Sequence, residues 1–175
     1  AVVPDMAGVA RGKYMPARKF TEQGGMRLPE SVFIQSVTGE YIDDYLEEGV
    51  MNPADRDMVA KPDLDTLRLV PWGEEPTCCV IHDCYTQDGD PVDIAPRQVL
   101  RRIMGMFRDR GLAPVVAPEI EFYLVKRNTD PDYPLEPPIG RSGRKETVRQ
   151  PYSMDAVDEF EPFIEDIYDY CEIQR

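Results

Sequence analysis

The stretch Val115-Val-Ala-Pro-Glu-Ile-Glu-Phe-Tyr-Leu-Val125 decides the fold, because it is an apolar run interrupted by two glutamates two residues apart. Such a run predicts a β-strand, and successive side chains of a strand point to opposite faces. Glu119 and Glu121 would therefore project together from one face. Two such carboxylates repel each other unless a cation lies between them, and a hard divalent cation is the natural candidate. Taken alone, the pattern is more typical of the exposed face of an edge strand.

A helical pattern precedes this strand. From Pro96 onward the apolar residues have the spacing of one helix face, and Gly111 supplies a helix stop. The apolar positions are Val99, Leu100, Ile103, Met104 and Phe107. A helix followed by the strand Pro114–Val125 predicts the start of an α/β domain, with a boundary near residue 95.

The first half of the chain predicts a small mixed β unit. Strands are predicted at Ser31–Val37, Leu67–Val70 and Thr77–Tyr85, a short helix at Tyr41–Glu48, a connection at Asp55–Pro62 and a turn at Thr86–Pro91. The opening Ala1–Pro4 is interpreted as the tail of a strand, and the last residues stop inside a helical pattern. We therefore expect the chain to be a fragment of a longer protein.

The second half contains a long loop and a helix. Prolines and glycines interrupt residues Arg127–Tyr152, which predicts an irregular segment. Its arginines, Arg141, Arg144 and Arg149, suit either an anionic ligand or simple solvation. Ser153 is predicted to cap a following helix. Its apolar stripe contains Val157, Phe160, Ile164, Ile167, Tyr168 and Cys171.

Composition excludes some classes of function. The formal charge of −13 argues against a nucleic-acid partner, which basic patches would have to bind. No apolar stretch is long enough to cross a membrane, so we expect a soluble protein without a membrane partner. The four cysteines form no C-x-x-C motif, and a reducing cytoplasm is the simplest setting for them. His82 is the chain's one histidine, and an ordinary strand role suits it better than metal ligation.

Four segments, in order, resemble the glutamine synthetase family. They are Asp5-Met-Ala-Gly-Val-Ala-Arg-Gly-Lys13, Asp57-Met-Val-Ala-Lys-Pro-Asp63 with the strand after it, Asp93-Ile-Ala-Pro-Arg97 and Pro118-Glu-Ile-Glu-Phe122. Each motif is weak alone, but their order and spacing together are specific. The resemblance covers essentially the whole chain, which would be less than half of such an enzyme.

The resemblance implies an α+β fold. An amino-terminal β-grasp domain, residues 1–95, would be followed by the first helix and strands of the catalytic α/β domain, residues 96–175. Family members phosphorylate the γ-carboxylate of glutamate with ATP and then let ammonia or an amine displace the phosphate. Two divalent ions, Mg or Mn, neutralise the developing charge. The family's active sites lie between subunits of a double-ring homo-oligomer, so self-association is expected.

Glu119 and Glu121 match the two strand glutamates of the family that each bind one metal ion. The resemblance implies that the other ligands, including a His-His-Glu histidine, lie beyond Arg175. We therefore expect this chain by itself to bind metal weakly and to be inactive.

The predicted amine acceptor follows from a departure from the family pattern. Thr38-Gly-Glu-Tyr41 replaces the D-G-S-S segment of bacterial glutamine synthetases, whose Asp helps to hold ammonium. Glu40, Asp43 or Asp44 are candidates for that role. The chain resembles the γ-glutamylpolyamine synthetase branch more closely, which implies putrescine or a similar amine as acceptor.

A second hypothesis keeps the ancestry without the activity. The chain would then be a non-catalytic β-grasp module that serves assembly or interaction. A ligase of the ATP-grasp type fits less well, because the sequence lacks the Gly-rich phosphate loop that it would need.

Overall fold

The computed structural model describes residues 1–42, 44, 49, 54–146, 148 and 150–175. The chain forms two compact units, Ala1–Val115 and Val116–Arg175. Both helices and sheets occur, which confirms the mixed α and β class. None of the described helices combines the length and apolar character that crossing a membrane requires.

Among its described residues, the first unit contains three small sheets and two α-helices. Its strands are β1 (Val2–Pro4), β2 (Ala10–Gly12), β3 (Met26–Pro29), β4 (Asp57–Pro62), β5 (Arg68–Leu69), β6 (Cys78–Cys79) and β7 (His82–Tyr85). Its helices are α1 (Ala17–Gln23) and α2 (Pro96–Arg108). The central sheet is antiparallel with the order β3-β4-β7, while β1 pairs with β2 and β5 with β6. The strand expected at the start of the chain is confirmed as β1.

Strand β4 lies at the centre of the main sheet, so the predicted connection at Asp55–Pro62 is wrong. Met58 and Ala60 are buried and alternate with more accessible neighbours, as a sheet with one packed face requires. Beside β4, Gly25 has φ +147°, and any Cβ there would collide with the Ala60 carbonyl. Glycine therefore allows the chain to enter β3 next to β4.

A 3₁₀ helix, Glu30–Ile34, replaces the strand predicted at Ser31–Val37. The carboxylate of Asp55 accepts hydrogen bonds from the Ser31 backbone N–H at 3.0 Å and from its hydroxyl at 2.8 Å. This contact, from a residue 24 positions away, caps the turn and is invisible to local propensity. Residues Ser31–Ile34 are buried, and their backbone forms a 3₁₀ helix instead of the predicted strand.

Other predictions for this unit hold in part. Leu67–Val70 contains β5, and Thr77–Tyr85 contains the two separate strands β6 and β7. The Thr86–Pro91 turn is confirmed: Gly89 has φ +95°, and Thr86 N–H donates to the Asp90 carbonyl at 2.7 Å. The helix predicted at Tyr41–Glu48 lies largely outside the described residues.

Helix α2 begins and ends as predicted, with Pro96 in its first turn and Gly111 at φ +68° just beyond it. Its orientation differs from the usual amphipathic arrangement. Gln98 is its buried residue, whereas Leu100, Ile103 and Met104 on the apolar stripe are exposed. Helix α2 therefore contacts the rest of the first unit through polar side chains.

The second unit contains α3 (Met154–Asp158) and α4 (Glu161–Ile173). The Ser153 cap is confirmed, since its hydroxyl accepts from the Ala156 N–H at 3.3 Å. The single predicted helix is divided in two because Pro162, in the first turn of α4, lacks an N–H to bond with the preceding turn. The described part of Arg127–Tyr152 forms no helix or multi-residue strand, which confirms the loop.

The strand predicted at Pro114–Val125 is absent, because residues 112–130 form no helix or strand. A strand requires hydrogen bonds to a neighbouring strand, and no other described segment pairs with this one. The compact units also differ from the predicted domain ranges 1–95 and 96–175, because α2 packs on the first unit. Those ranges, and the β-grasp assignment, stay predictions.

Candidate functional site

Glu119 and Glu121 lie in the irregular segment that opens the second unit, and both are exposed. The same segment is attached to α4 by Phe122, whose ring meets that of Phe163 edge-on at 6.0 Å. Among the described residues, no three His, Cys, Asp or Glu side chains come together as a metal site would require. The structure thus exposes the two carboxylates without bringing further ligands to them, and their metal role stays a prediction.

Two of the family-like segments are joined by an ion-pair cluster in the first unit, which we call the Asp/Arg cluster: Asp63, Asp83, Arg97 and Arg101. Arg97 donates to the carboxylates of both Asp63 and Asp83, with 2.9 Å between its Nε and Asp83 Oδ1. Arg101 Nη1 lies 2.5 Å from the same Asp83 oxygen. The cluster therefore attaches helix α2 to the ends of β4 and β7.

Asp83 is the most enclosed member of the Asp/Arg cluster. Burial by itself raises the pKa of its carboxyl, but the hydrogen bonds from Arg101 and Arg97 outweigh burial and hold the pKa below its usual value of 3.8. Asp83 is therefore charged in the folded protein at neutral pH. Its contribution to stability is present above pH 3.8 and is lost as the pH falls through the lower folded-state pKa.

We expect Asp83→Asn to lower the free energy of unfolding by about 1 to 3 kcal/mol at pH 7, because it leaves two arginines without their shared carboxylate. The lower end of this range applies because Arg101 is partly exposed, and solvent weakens its interaction with Asp83. Urea unfolding gives the value. Asp93→Asn is the matched control: Asp93 pairs with Arg102 of the same helix, but its side chain is 88% exposed against 10% for Asp83. Equal losses in the two variants, or a difference that does not shrink as the pH falls below 3.8, would contradict this assignment.

The amino-terminal family-like segment is held together by a second ion pair. The Asp5 carboxylate is fully buried and accepts from Arg11 Nε and from the Val9 N–H, each at 2.7 Å. Arg11 also donates to the Ser36 carbonyl at 2.9 Å, and Lys13 donates to the Arg27 carbonyl at 2.7 Å. These motif residues therefore have structural roles.

Glu40, a predicted amine ligand, ends the turn that Arg11 holds. Ser36 N–H donates to the Glu40 carbonyl at 2.8 Å, and the exposed carboxylate accepts from the Thr38 hydroxyl at 3.3 Å. Asp43, the other predicted amine ligand, lies outside the described residues. The amine role of both residues stays a prediction.

Arg141 and Lys145, two basic residues of the loop in the second unit, pair with carboxylates that the sequence did not single out. Arg141 pairs with Glu161 at 3.0 Å, and Lys145 with Glu136 at 2.6 Å. Hydrogen bonding to Ser142 lowers the pKa of Glu159, and Lys145 does the same for Glu136. An open pocket of about 260 Å³ lies here, and Arg144, Asp155 and Glu159 are among its lining residues. Arg149 lies outside the described residues, and this mixture of charges favours solvation over a dedicated anion site.

The cysteines carry no evident chemistry. All four are free, and burial raises the pKa of Cys84 to about 12, so that thiol is inert at neutral pH. Cys78 and Cys171 are exposed, Cys79 is half-buried and Cys84 is buried.

Comparison with known proteins identifies the class. Residues 93–175 match the family model for the glutamine synthetase catalytic domain. Together with the relatives described next, this match shows that the chain belongs to the glutamine synthetase family.

Among its relatives is the γ-glutamylputrescine synthetase PuuA of Escherichia coli K12, 32% identical over 175 residues and 99% of this chain. A glutamine synthetase of Thermotoga maritima is 34% identical over 117 residues, which cover 63% of this chain and 27% of that protein. The chain spans only 37% of the length of the Escherichia coli relative.

A solved structure supports the fold. The crystal structure of a novel glutamine synthase homolog matches with a TM-score of 0.52 and 21% identity, covering 62% of this chain and 26% of the other. At this identity the likeness speaks for the fold alone.

Proposed function

We propose that the chain is part of an ATP-dependent ligase that joins an amine to the γ-carboxylate of glutamate through γ-glutamyl phosphate. The observation that carries the proposal is the 32% identity to a γ-glutamylputrescine synthetase across 99% of this chain. That similarity includes the residues before position 93, where the catalytic-domain match begins. It therefore supports common descent of the whole chain, and not merely of a catalytic segment.

The proposed architecture follows the same relationship. Residues 1–95 would form the β-grasp domain and residues 96–175 the start of the catalytic domain, within a cytoplasmic double-ring homo-oligomer. The antiparallel sheet β3-β4-β7 and the start of the catalytic-domain match at residue 93 support this division.

Glu119 and Glu121 would each bind one of two divalent ions, Mg or Mn. Carboxylate oxygens are the ligands that these hard cations prefer, and both side chains are accessible. When bound, the ions would neutralise charge on the phosphoryl group that ATP donates. Because the described residues supply no complete ligand set, the chain alone should bind metal weakly and have no ligase activity.

The proposed acceptor is putrescine or a similar amine, with Glu40 and Asp43 as candidate carboxylates for its ammonium group. Glu40 supports this role because it is exposed while its backbone is fixed by the Ser36 turn. An exposed carboxylate on a fixed backbone can attract an ammonium group electrostatically.

A comparison of acceptors tests the function. In an ATP-hydrolysis-coupled assay of the full-length ligase with glutamate, we expect kcat/KM for putrescine to exceed that for ammonia by about tenfold or more, equivalent to roughly 1.4 kcal/mol of discrimination. Strict preference for ammonia would contradict the acceptor, and absence of turnover with either would contradict the ligase assignment. The 175-residue chain, assayed in parallel, should show no turnover.

A further inference from the structure

His82 is buried inside the first unit with one ring nitrogen unsatisfied. Its side chain lies in β7, and the residue is 1% exposed. Nδ1 lies 3.1 Å from the Val80 carbonyl, whereas Nε2 has no hydrogen-bond partner among the described residues. With a proton on Nδ1, the neutral ring donates to Val80 and leaves the Nε2 lone pair without a partner among the described residues. A second proton on Nε2 would add a charge to this buried ring.

Three elements meet at this ring. The Phe20 ring of α1 contacts the imidazole edge-on, with 6.0 Å between ring centroids. The Val80 carbonyl that accepts from His82 also accepts from the Val2 N–H of β1 at 3.0 Å. His82 therefore lies where both α1 and β1 are attached to β7.

Few charged groups face the ring. Asp83, the next residue of β7, favours the protonated form, and the amino group of Ala1 opposes it. The Val2 backbone also favours that form, although it makes no hydrogen bond of normal geometry with Nε2. From the other elements the facing residues are Phe20 of α1 and Pro62, the register partner on β4, and neither titrates. The Asp83 charge is already shared by two arginines of the Asp/Arg cluster.

We propose that His82 is an acid-sensitive joint: protonation of its ring releases β1 and α1 from β7 while the β3-β4-β7 sheet persists. The proposal does not depend on the ligase assignment. It would allow mild acid to open the amino-terminal part of the first unit selectively.

The pH range follows from the sign of the shift. Burial is the largest influence and lowers the pKa of His82 below its usual value of 6.5. The opened form therefore binds more protons than the closed form between that lower pKa and 6.5. The closed joint is fully stable above pH 6.5, and its stability falls as the pH decreases through this range.

Hydrogen exchange of the full chain between pH 5 and pH 8, corrected for intrinsic exchange rates, tests the proposal. Below pH 6.5, amides of β1 and α1 should lose protection by up to about tenfold per pH unit, while amides of β4 keep theirs. In His82→Leu, which removes the titrating group, protection of β1 and α1 should no longer fall as the pH decreases below 6.5. Burial raises the pKa of Glu30, so Glu30 makes the folded protein more stable as the pH falls. Both proteins contain Glu30, and the difference between wild type and variant removes its contribution. Equal pH dependence in the two proteins would overturn the proposal.

A second measurement uses the wild-type protein alone, so it does not depend on whether a variant folds. Because His82 is the chain's one histidine, its ring signals in NMR spectra are unambiguous. We expect its apparent pKa to lie below 6.5, with β1 signals changing over the same pH range. A ring that titrates at 6.5 or above while β1 and α1 stay protected would overturn the proposal.

Discussion

Replacing Glu119 with Gln is expected to lower kcat/KM of the proposed full-length ligase by at least about 100-fold, equivalent to roughly 2.7 kcal/mol of transition-state stabilisation. The amide has the shape of the carboxylate but lacks its charge, so it is a poor ligand for a hard divalent cation. If Glu119 and Glu121 each hold a different ion, Glu121→Gln should have a comparable effect. Loss of either ion would leave charge on the phosphoryl group uncompensated.

Titrating the rate with Mg²⁺ or Mn²⁺ separates a metal role from a structural one. In either variant, half-maximal activity should require more metal than in wild type, and raising the metal concentration should restore part of the rate. Glu165→Gln is the matched control, because Glu165 is an exposed glutamate of α4 in the same unit and undergoes the same loss of charge. Wild-type activity in Glu119→Gln and Glu121→Gln, or a loss that metal does not change, would contradict the assignment.

Local signals in the sequence predicted the structure wherever local chemistry decides it. Pro96 and Gly111 delimit α2, Ser153 caps α3, and the Asp-Gly turn after β7 needs only its own residues. The failures have tertiary causes. Asp55 caps the 3₁₀ helix from 24 residues away, and β4 is a strand because β3 and β7 lie on either side of it.

The same distinction applies to the candidate sites. Two glutamates at i and i+2 form a pattern within one segment, so reading the sequence could single them out. The Asp/Arg cluster could not be found in this way, because Arg97 meets Asp83 and Asp63 across 14 and 34 residues. The unsatisfied Nε2 of His82 was equally hidden, since it depends on which groups pack around the ring. A single histidine in an apolar run was its only signal in the sequence.

Phe33→Ala is expected to cost about 3 to 5 kcal/mol of the free energy of unfolding of the first unit. Phe33 is 0% exposed and belongs to the core with Met26, Leu28, Met58 and Val92. Truncation removes most of a large apolar side chain and leaves a cavity that the 3₁₀ helix cannot fill by collapsing, because Asp55 fixes its first turn. For a domain of ordinary stability, about 5 to 15 kcal/mol, this is a large fraction of the total.

Urea unfolding followed by fluorescence of Trp72, the chain's one tryptophan, measures this loss in the unit that contains both residues. Tyr14→Ala is the matched control, since it also removes an aromatic ring from the first unit but at a site that is 95% exposed; it should cost less than about 0.5 kcal/mol. If the slope of the unfolding free energy against urea concentration is the same in Phe33→Ala and in wild type, the loss arises in the folded state. Similar urea midpoints for Phe33→Ala and Tyr14→Ala would contradict the central place of Phe33 in the core. They would also contradict the burial of the 3₁₀ helix, which lies in the segment that the sequence predicted to be a strand.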